Sequence, residues 1–208
     1  MSATTKYPVT LMERLDLGMG EFRFSGTLED FAELLEVCEY QIEFKENEII
    51  VMSIASDPHE QIVANLLREL GNLFKGQPNY KRYASNRHVF IKQIPCAYSP
   101  DASIVYGTPE IEEYAPGKTA NINPWLVAEV ISKSSRNTDL GDKLPDYKII
   151  PSLRYILYFE QDKALLTLHF RPEGQTRWFS EDFDGLEQTF SINGKPVLMQ
   201  DIYENVLA

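Results

Sequence analysis

"PWLVAEVIS", residues 124 to 132, decides the fold. From Leu126 to Ile131 the only polar side chain is Glu129, so an extended segment here is apolar on both faces. That is the pattern of a central strand covered on both sides, not of a strand with one wet face. A second run, "SPDASIV" (99–105), repeats it with Asp101 at its head. Side chains alternate along a strand, so Asp101, Ser103 and Val105 share one face, and Val127, Glu129 and Ile131 share a face of the other strand. An ionised carboxylate in such surroundings is costly unless a cation or hydrogen-bond donors compensate it. Two brought together repel, so one holds a proton or a metal sits between them. A hard cation is the direct answer: Mg²⁺ takes oxygen ligands, typically one or two carboxylates with water and a substrate phosphate.

Outward from these strands the chain alternates helix and strand signals. "GTLEDFAELLEVCEY" (26–40) offers Thr27 as an N-cap and spaces Leu28, Phe31, Leu34, Leu35 and Cys38 as one helical face. "YQIEFKENEIIVMS" holds two alternating runs around "KENE", a hairpin pattern in which Asn47 tolerates the turn. "SDPHEQIVANLLRELGNLF" combines an Asp or Ser cap, Pro58 in the first turn, and Ile62, Leu66, Leu67, Leu70 and Phe74 on one face. "YKRYASNRHVFIKQI" is strand-like on either side of a polar break. The polar stretch from Thr108 to Asn123 reads as a surface loop. "PSLRYILYFEQDKALLTLHFR" reads as two strands around a turn near Gln161 and Asp162. Residues 1–25 fit no strong template and are expected to form an arm, with 26–208 a single domain whose core spans about 27–160 and whose tail is β-rich. This order predicts an α/β fold with a central mixed β-sheet flanked by helices.

The segment "TDLGDKLPDYKII" is a helix candidate in which Leu140, Lys143, Leu144 and Tyr147 fall at i, i+3, i+4 and i+7. Lys143 thus lies within the apolar stripe that faces the sheet. A lysine there needs a carboxylate or phosphate partner, and Glu129 heads the list because its strand feeds this helix; the alternative is a lysine that snorkels to the helix edge. Pro145 fits a first turn but kinks any helix begun as early as Asp139, which leaves the helix start open.

Composition sets the bounds on function. With 208 residues, of which 43% are hydrophobic, the chain can bury a full core. Its apolar runs are far short of the roughly 20 residues that cross a bilayer, and "MSATTKYPVT" has no apolar secretory region. The expectation is a soluble cytoplasmic protein with no membrane partner. Cys38 and Cys96 lack metal or redox spacing and read as reduced thiols. A net charge of −11 opposes broad binding to nucleic acid, so any phosphate substrate must meet a local site.

Taken together, "SPD", then "AEVIS", then a lysine resemble the PD-(D/E)XK, or restriction-endonuclease-like, nuclease superfamily. More closely, the chain resembles a large bacterial family of nucleases in that superfamily formerly grouped as a domain of unknown function. The likeness runs from about 27 to 160, through "TLEDF", "IEFKENEIIVMS", "PHEQIVANLLRELG", "SPDASIV", "PWLVAEVISKSSRNTDLGDKLPDY" and "IIPSLRYILYF". No one short motif is specific; their order and spacing are. Two departures stand out. The superfamily's lysine two residues after the acid is here Ile131, and the family pattern carries it on the following helix, at Lys143, with Lys133 as a rival. "FKENE" replaces the family's usual acid-glycine turn.

The resemblance implies an upstream acid, matched by Glu43, whose other reading is a solvated edge-strand glutamate. It implies that Asp101 and Glu129 ligate Mg²⁺, or Mn²⁺, with Glu43 as a third ligand, directly or through water. Lys143 would hold or help deprotonate the attacking water, and DNA phosphodiester hydrolysis would leave 5′-phosphates. His59 matches a histidine position of the family, with a structural role as the alternative. Arg87 and His88 are candidates for phosphate contact or for plain surface positions. Trp178, Phe179 and Phe183 in the tail suggest a homodimer interface. Two other functions compete: a catalytically inactive nuclease-fold binding or regulatory protein, and a carboxylate metal hydrolase acting on a small phosphorylated molecule.

Overall fold

A computed structural model describes residues 7–207. Its helices are α1 (Leu11–Asp16), α2 (Leu28–Val37), α3 (Asp57–Leu73), α4 (Leu144–Ile149) and α5 (Met199–Ile202), with a π-helical turn, Thr138–Lys143, leading into α4. The strands are β1 (Phe22–Ser25), β2 (Ile42–Lys45), β3 (Glu48–Val51), β4 (Tyr80–Ala84), β5 (Val89–Ile91), β6 (Cys96–Tyr98), β7 (Ala102–Tyr106) and β8 (Ile111–Ala115). They continue with β9 (Lys118–Asn121), β10 (Leu126–Ile131), β11 (Tyr155–Glu160), β12 (Leu165–Phe170), β13 (Phe179–Asp184), β14 (Thr189–Ile192) and β15 (Lys195–Leu198).

The α/β architecture of mixed sheets flanked by helices is as expected, with the strands divided between two main sheets. The first runs β1-β3-β2-β6-β5-β9-β8 and the second β13-β12-β11-β10-β7-β4. The chain leaves the second sheet for the first between β4 and β5, and returns between β6 and β7, across Ser99, Pro100 and Asp101. β10 lies inside the second sheet, parallel to β11 and antiparallel to β7, and all six of its residues are buried. Its Leu126, Ala128 and Val130 pack with Ile62, Leu66 and Leu70 of α3. Its Val127 and Ile131 point the other way, into a cluster with Tyr147 of α4 and Val89, Ile91 and Tyr98 of the first sheet. Helix α2 covers the outer face of that first sheet through Phe31 and Leu34.

Local chemistry explains the helix starts. The Thr27 hydroxyl accepts the Asp30 N–H while the Asp30 carboxylate accepts the Thr27 N–H, closing a capping box at α2. Ser56 caps α3 by accepting the His59 N–H at 3.3 Å, and Pro58 occupies the first turn where a missing N–H costs nothing. The β2–β3 turn places Glu46 at φ 48° and Asn47 at φ 70°, the left-handed pair that a two-residue hairpin requires.

Three expectations are corrected. Residues 1–6 of the expected arm lie outside the described residues, but from Tyr7 on the segment is built into the fold. Thr10 caps α1 in a second capping box, β1 pairs with β3, and Arg14 is buried, donating to the carbonyls of Gly18, Gly20 and Met52. The expected loop 108–123 contains the β8–β9 hairpin, turned at Gly117 with φ +72°. Its inward face is carried by only a few residues, Tyr114 and Ala120 among them, so the polar remainder of the stretch hides it in composition. The aromatic residues of the tail are half-buried rather than free. Phe179 stacks on Phe170, Phe183 packs near Phe190, and Trp178 lies under Arg171, so each has a partner within the chain.

Candidate active site

Glu129 organises the site from the buried face of β10. Its Oε1 accepts hydrogen bonds from Lys143 Nζ at 3.2 Å and from the Tyr147 hydroxyl at 2.8 Å. Its Oε2 accepts the Asp101 N–H at 3.4 Å, and Asp101 Oδ2 in return accepts the Val130 N–H at 2.7 Å. The pairing of Ala102 with Ala128, carried one residue further, sets Asp101 opposite Glu129, so the two carboxylates stand side by side at one end of the sheet. His59 of α3 closes the other flank of Asp101, with Nε2 3.3 Å from Oδ2.

Lys143 ends the π-helical turn and is 1% exposed. Besides Glu129 it meets Glu43 Oε1 at 3.0 Å and Asp139 Oδ1 at 3.4 Å. The π turn, in which the Leu144 N–H reaches back to the Asp139 carbonyl, resolves the difficulty raised by Pro145. An uninterrupted α-helix would drive the proline ring into the carbonyl of Gly141; the wider turn ends before it and gives Pro145 to the first turn of α4. A polar chain on the far side fixes the turn to the first sheet. Arg23 donates to Asp142 and Thr138, Lys45 pairs with Asp146 at 2.8 Å, and the Tyr98 hydroxyl donates to Asp146 at 2.6 Å.

The electrostatics follow from burial. Burial pulls against the Lys143 charge, but Glu129, then Glu43 and Asp139, outweigh it and hold its pKa well above the ordinary lysine value. Burial raises the Glu129 carboxyl well above its usual range; Lys143 opposes the shift, and Asp139, Asp101 and Glu43 reinforce it. Burial also raises Glu43, although Lys143 and the Ser99 N–H stabilise its charged form. His59 is raised: burial lowers it, and its contact with Asp101 more than reverses the effect. Three carboxylates thus surround one ammonium, with Asp101 beside Glu129 as a fourth acid, an excess of acidic groups that favours a cation.

Asp101, Glu129, Asp139, Lys143 and His59 line a cavity of about 420 Å³, walled on one side by Met19, Gly20 and Met52. Among the described residues no group of three or more His, Cys, Asp and Glu side chains is placed to hold a metal ion. Asp101, Glu129 and Glu43 are therefore not placed as three direct ligands, because Lys143 Nζ lies between Glu43 and Glu129, which leaves Glu43 the water-mediated place. The residues fit a smaller set: two hard oxygen donors, Asp101 and Glu129, with the remaining positions left to water and phosphate, as suits Mg²⁺. The Oε2 of Glu43 is buried without a hydrogen-bond partner among the described residues, an acceptor in want of a donor such as an ordered water.

A family model named Uma2 and described as "Putative restriction endonuclease" matches residues 28–198. The chain belongs to this family. It is 29% identical over 143 residues to a Synechocystis sp. protein named "Uncharacterized protein sll1609", covering 69% of this chain and 78% of that one. Its fold resembles a solved Anabaena variabilis structure described as a "putative nuclease belonging to DUF820". That likeness has a TM-score of 0.64 at 16% identity over 85% of this chain and 97% of the other. The Uma2 match extends through β15, beyond the 27–160 stretch that carried the sequence resemblance.

In this Uma2 protein Asp101, Glu129, Lys143 and Glu43 meet at one place. Lys133, the rival lysine, is exposed at the cavity rim. Arg87 and His88 are not at the cavity. Arg87 is engaged by Asn121 and Thr119 of β9, and His88 is packed edge-on to Phe31 and Tyr114. Sequence reasoning missed Asp139 and the hydrogen-bonding part of Tyr147. Both carried a signal, since Asp139 lies four residues before Lys143 and Tyr147 four after, on the same helical face.

Proposed function

We propose that this Uma2 protein is an Mg²⁺-dependent endonuclease, with Mn²⁺ as a substitute ion, that hydrolyses DNA phosphodiester bonds and leaves 5′-phosphates. The observation that carries this reading is the pairing of Asp101 with Glu129 at the mouth of a cavity, backed by a lysine that cannot leave. These two carboxylates would hold the ion. When bound, it supplies a Lewis acid that polarises a phosphoryl oxygen and eases loss of a proton from the attacking water.

The chain's own residues do the rest. Lys143, kept protonated by its three acids, is no general base; it orients Glu129 and offsets charge that accumulates near it. Tyr147 shares the same Glu129 oxygen and fixes the carboxylate's rotation. Ser99, through its N–H, holds Glu43 against the lysine from the neighbouring sheet. His59 fixes Asp101. Lys133, exposed at the rim, meets a backbone phosphate and gives DNA a local foothold on a chain of net charge −11.

The test is nicking of supercoiled plasmid with Mg²⁺ or Mn²⁺, alongside calorimetric titration of each ion, for the wild type, Asp101→Asn and Glu129→Gln. Ion binding and nicking in the wild type, both lost in each variant, are the expected results; nicking that persists in both variants sinks the proposal. A second reading, a nuclease-fold regulatory protein without catalysis, is favoured by the complete engagement of Lys143 with protein carboxylates. It predicts neither ion binding nor nicking.

A further inference from the structure

A second cavity, of about 500 Å³, lies at the opposite end of the same strands. Five residue steps along β7 separate Asp101 from Tyr106, a distance of roughly 17 Å at about 3.4 Å per residue. Its wall is aromatic. Tyr80 lies 4.9 Å from Tyr106 and 5.3 Å from Trp125, and Trp125 lies 4.8 Å from Tyr155, measured between ring centroids. Tyr106 is 53% exposed, a large aromatic face left to solvent at the edge of a built stack.

Beside this wall stand Arg154 and Arg171. They continue the β11–β12 register that pairs Tyr155 with Phe170, and the Arg171 N–H donates to the Arg154 carbonyl at 2.9 Å. Like charges directly opposite on paired strands are destabilising. In a chain with 31 acidic and 20 basic residues, carboxylate partners for both are easily supplied. Yet neither guanidinium is ion-paired with a described residue. Arg154 Nη1 donates to the carbonyls of Pro151 and Leu153, and Arg171 Nη2 to those of Ile150, Pro151 and Leu153. Arg171 Nε is buried with no partner among the described residues. Burial, and then Arg154, lower the Arg171 pKa, as befits a cation short of an anion.

We propose that this cavity binds a nucleotide, with the base stacked on Tyr106 and Trp125 and the phosphate held by Arg154 and Arg171. Stacking platforms beside guanidinium pairs are the chemistry that recognises a phosphorylated aromatic ring. Glu110 and Glu173, also at the cavity, pair with neither arginine and serve as acceptors for ribose hydroxyls. The nucleotide comes either from solution or from an unstacked position of a single strand. The inference does not depend on the activity proposed for the Asp101 site.

The chain's two tryptophans report on this cavity directly: Trp125 is in its wall, and Trp178 lies beneath the Arg171 guanidinium at 4.8 Å. Intrinsic fluorescence of the full chain is therefore titrated with AMP, with a short oligothymidylate in EDTA, and with inorganic phosphate, for the wild type, Tyr106→Ala and Arg154→Gln. Saturable quenching by AMP, weakened at least about tenfold in both variants without a change in Tm, is expected for a free nucleotide. The same pattern with the oligonucleotide alone assigns the site to a strand. The proposal is overturned if neither ligand quenches saturably, if both variants bind as the wild type does, or if phosphate alone binds as tightly as AMP.

Discussion

Replacing Lys143 by methionine removes the buried ammonium while keeping most of its volume. In the wild type that ammonium lies 3.0, 3.2 and 3.4 Å from Glu43, Glu129 and Asp139. With an effective dielectric of about 20, each contact is worth roughly 5 kcal/mol before desolvation is counted. Most of this is cancelled by the several kcal/mol that each ion loses on leaving water. Lys143→Met deletes the attraction and leaves the desolvation, with three carboxylates now facing one another. A loss of about 3–5 kcal/mol is expected, measured as a shift in urea denaturation followed by tryptophan fluorescence at about pH 8. Adding Glu129→Gln to the same chain removes one stranded charge at nearly constant shape, so the double variant should be more stable than the sum of the single effects by about 1–3 kcal/mol. A Lys143→Met chain within about 1 kcal/mol of wild type, or strict additivity in the cycle, would refute the electrostatic account.

Arg14→Met leaves the carbonyls of Gly18, Gly20 and Met52 without a charged donor and should cost about 3 kcal/mol, read as a lowered urea midpoint. Because Gly20 and Met52 wall the Asp101 cavity, the nicking proposed for that site should slow as well; unchanged stability would show that water replaces the guanidinium. Burial, and then Lys148, lower the His169 pKa from 6.5 to about 4. Between those values the unfolded chain binds more protons than the folded one. The stability His169 contributes is therefore complete above pH 6.5 and is lost as the pH falls toward 4. His169→Gln should flatten the fall of Tm over that window in scanning calorimetry, and an unchanged slope would exclude the assignment.

The central strands were legible because burial on both faces writes itself into composition: "LVAEVI" has no wet side to disguise it. The starts of α2 and α3 were legible because Thr27 sits one residue before an apolar period and Ser56 sits two before a first-turn proline. What escaped was whatever depends on distant partners. β6 is only three residues long and gains strand geometry by pairing with β2 and β5. β1 becomes a strand because β3 offers it an edge, and the alternation in "FRFS" is too short to announce it alone. The division into two sheets lies in crossings such as those at 85–88 and 99–101, short polar links that read like any other turn. At the candidate site, the inward lysine followed from its helical phase, whereas the π turn that delivers it did not, since backbone hydrogen-bond spacing leaves no residue signature beyond an awkward proline. Arg14 was invisible for a related reason: a buried arginine served by carbonyls has no acidic partner to be found in sequence.

The second crossing joins the Asp101 site to the mechanics of the whole molecule. Ser99 grips Glu43 of one sheet, and two residues later Asp101 grips Val130 of the other. Anything seated there is held by both sheets at once and acts as a rivet across their seam. Occupancy should accordingly slow amide hydrogen exchange in β2 and β6 as well as in β7 and β10, even though only a few side chains touch the ligand. Such a spread of protection would make the two sheets a mechanical gauge of whether the site is filled, with no turnover required.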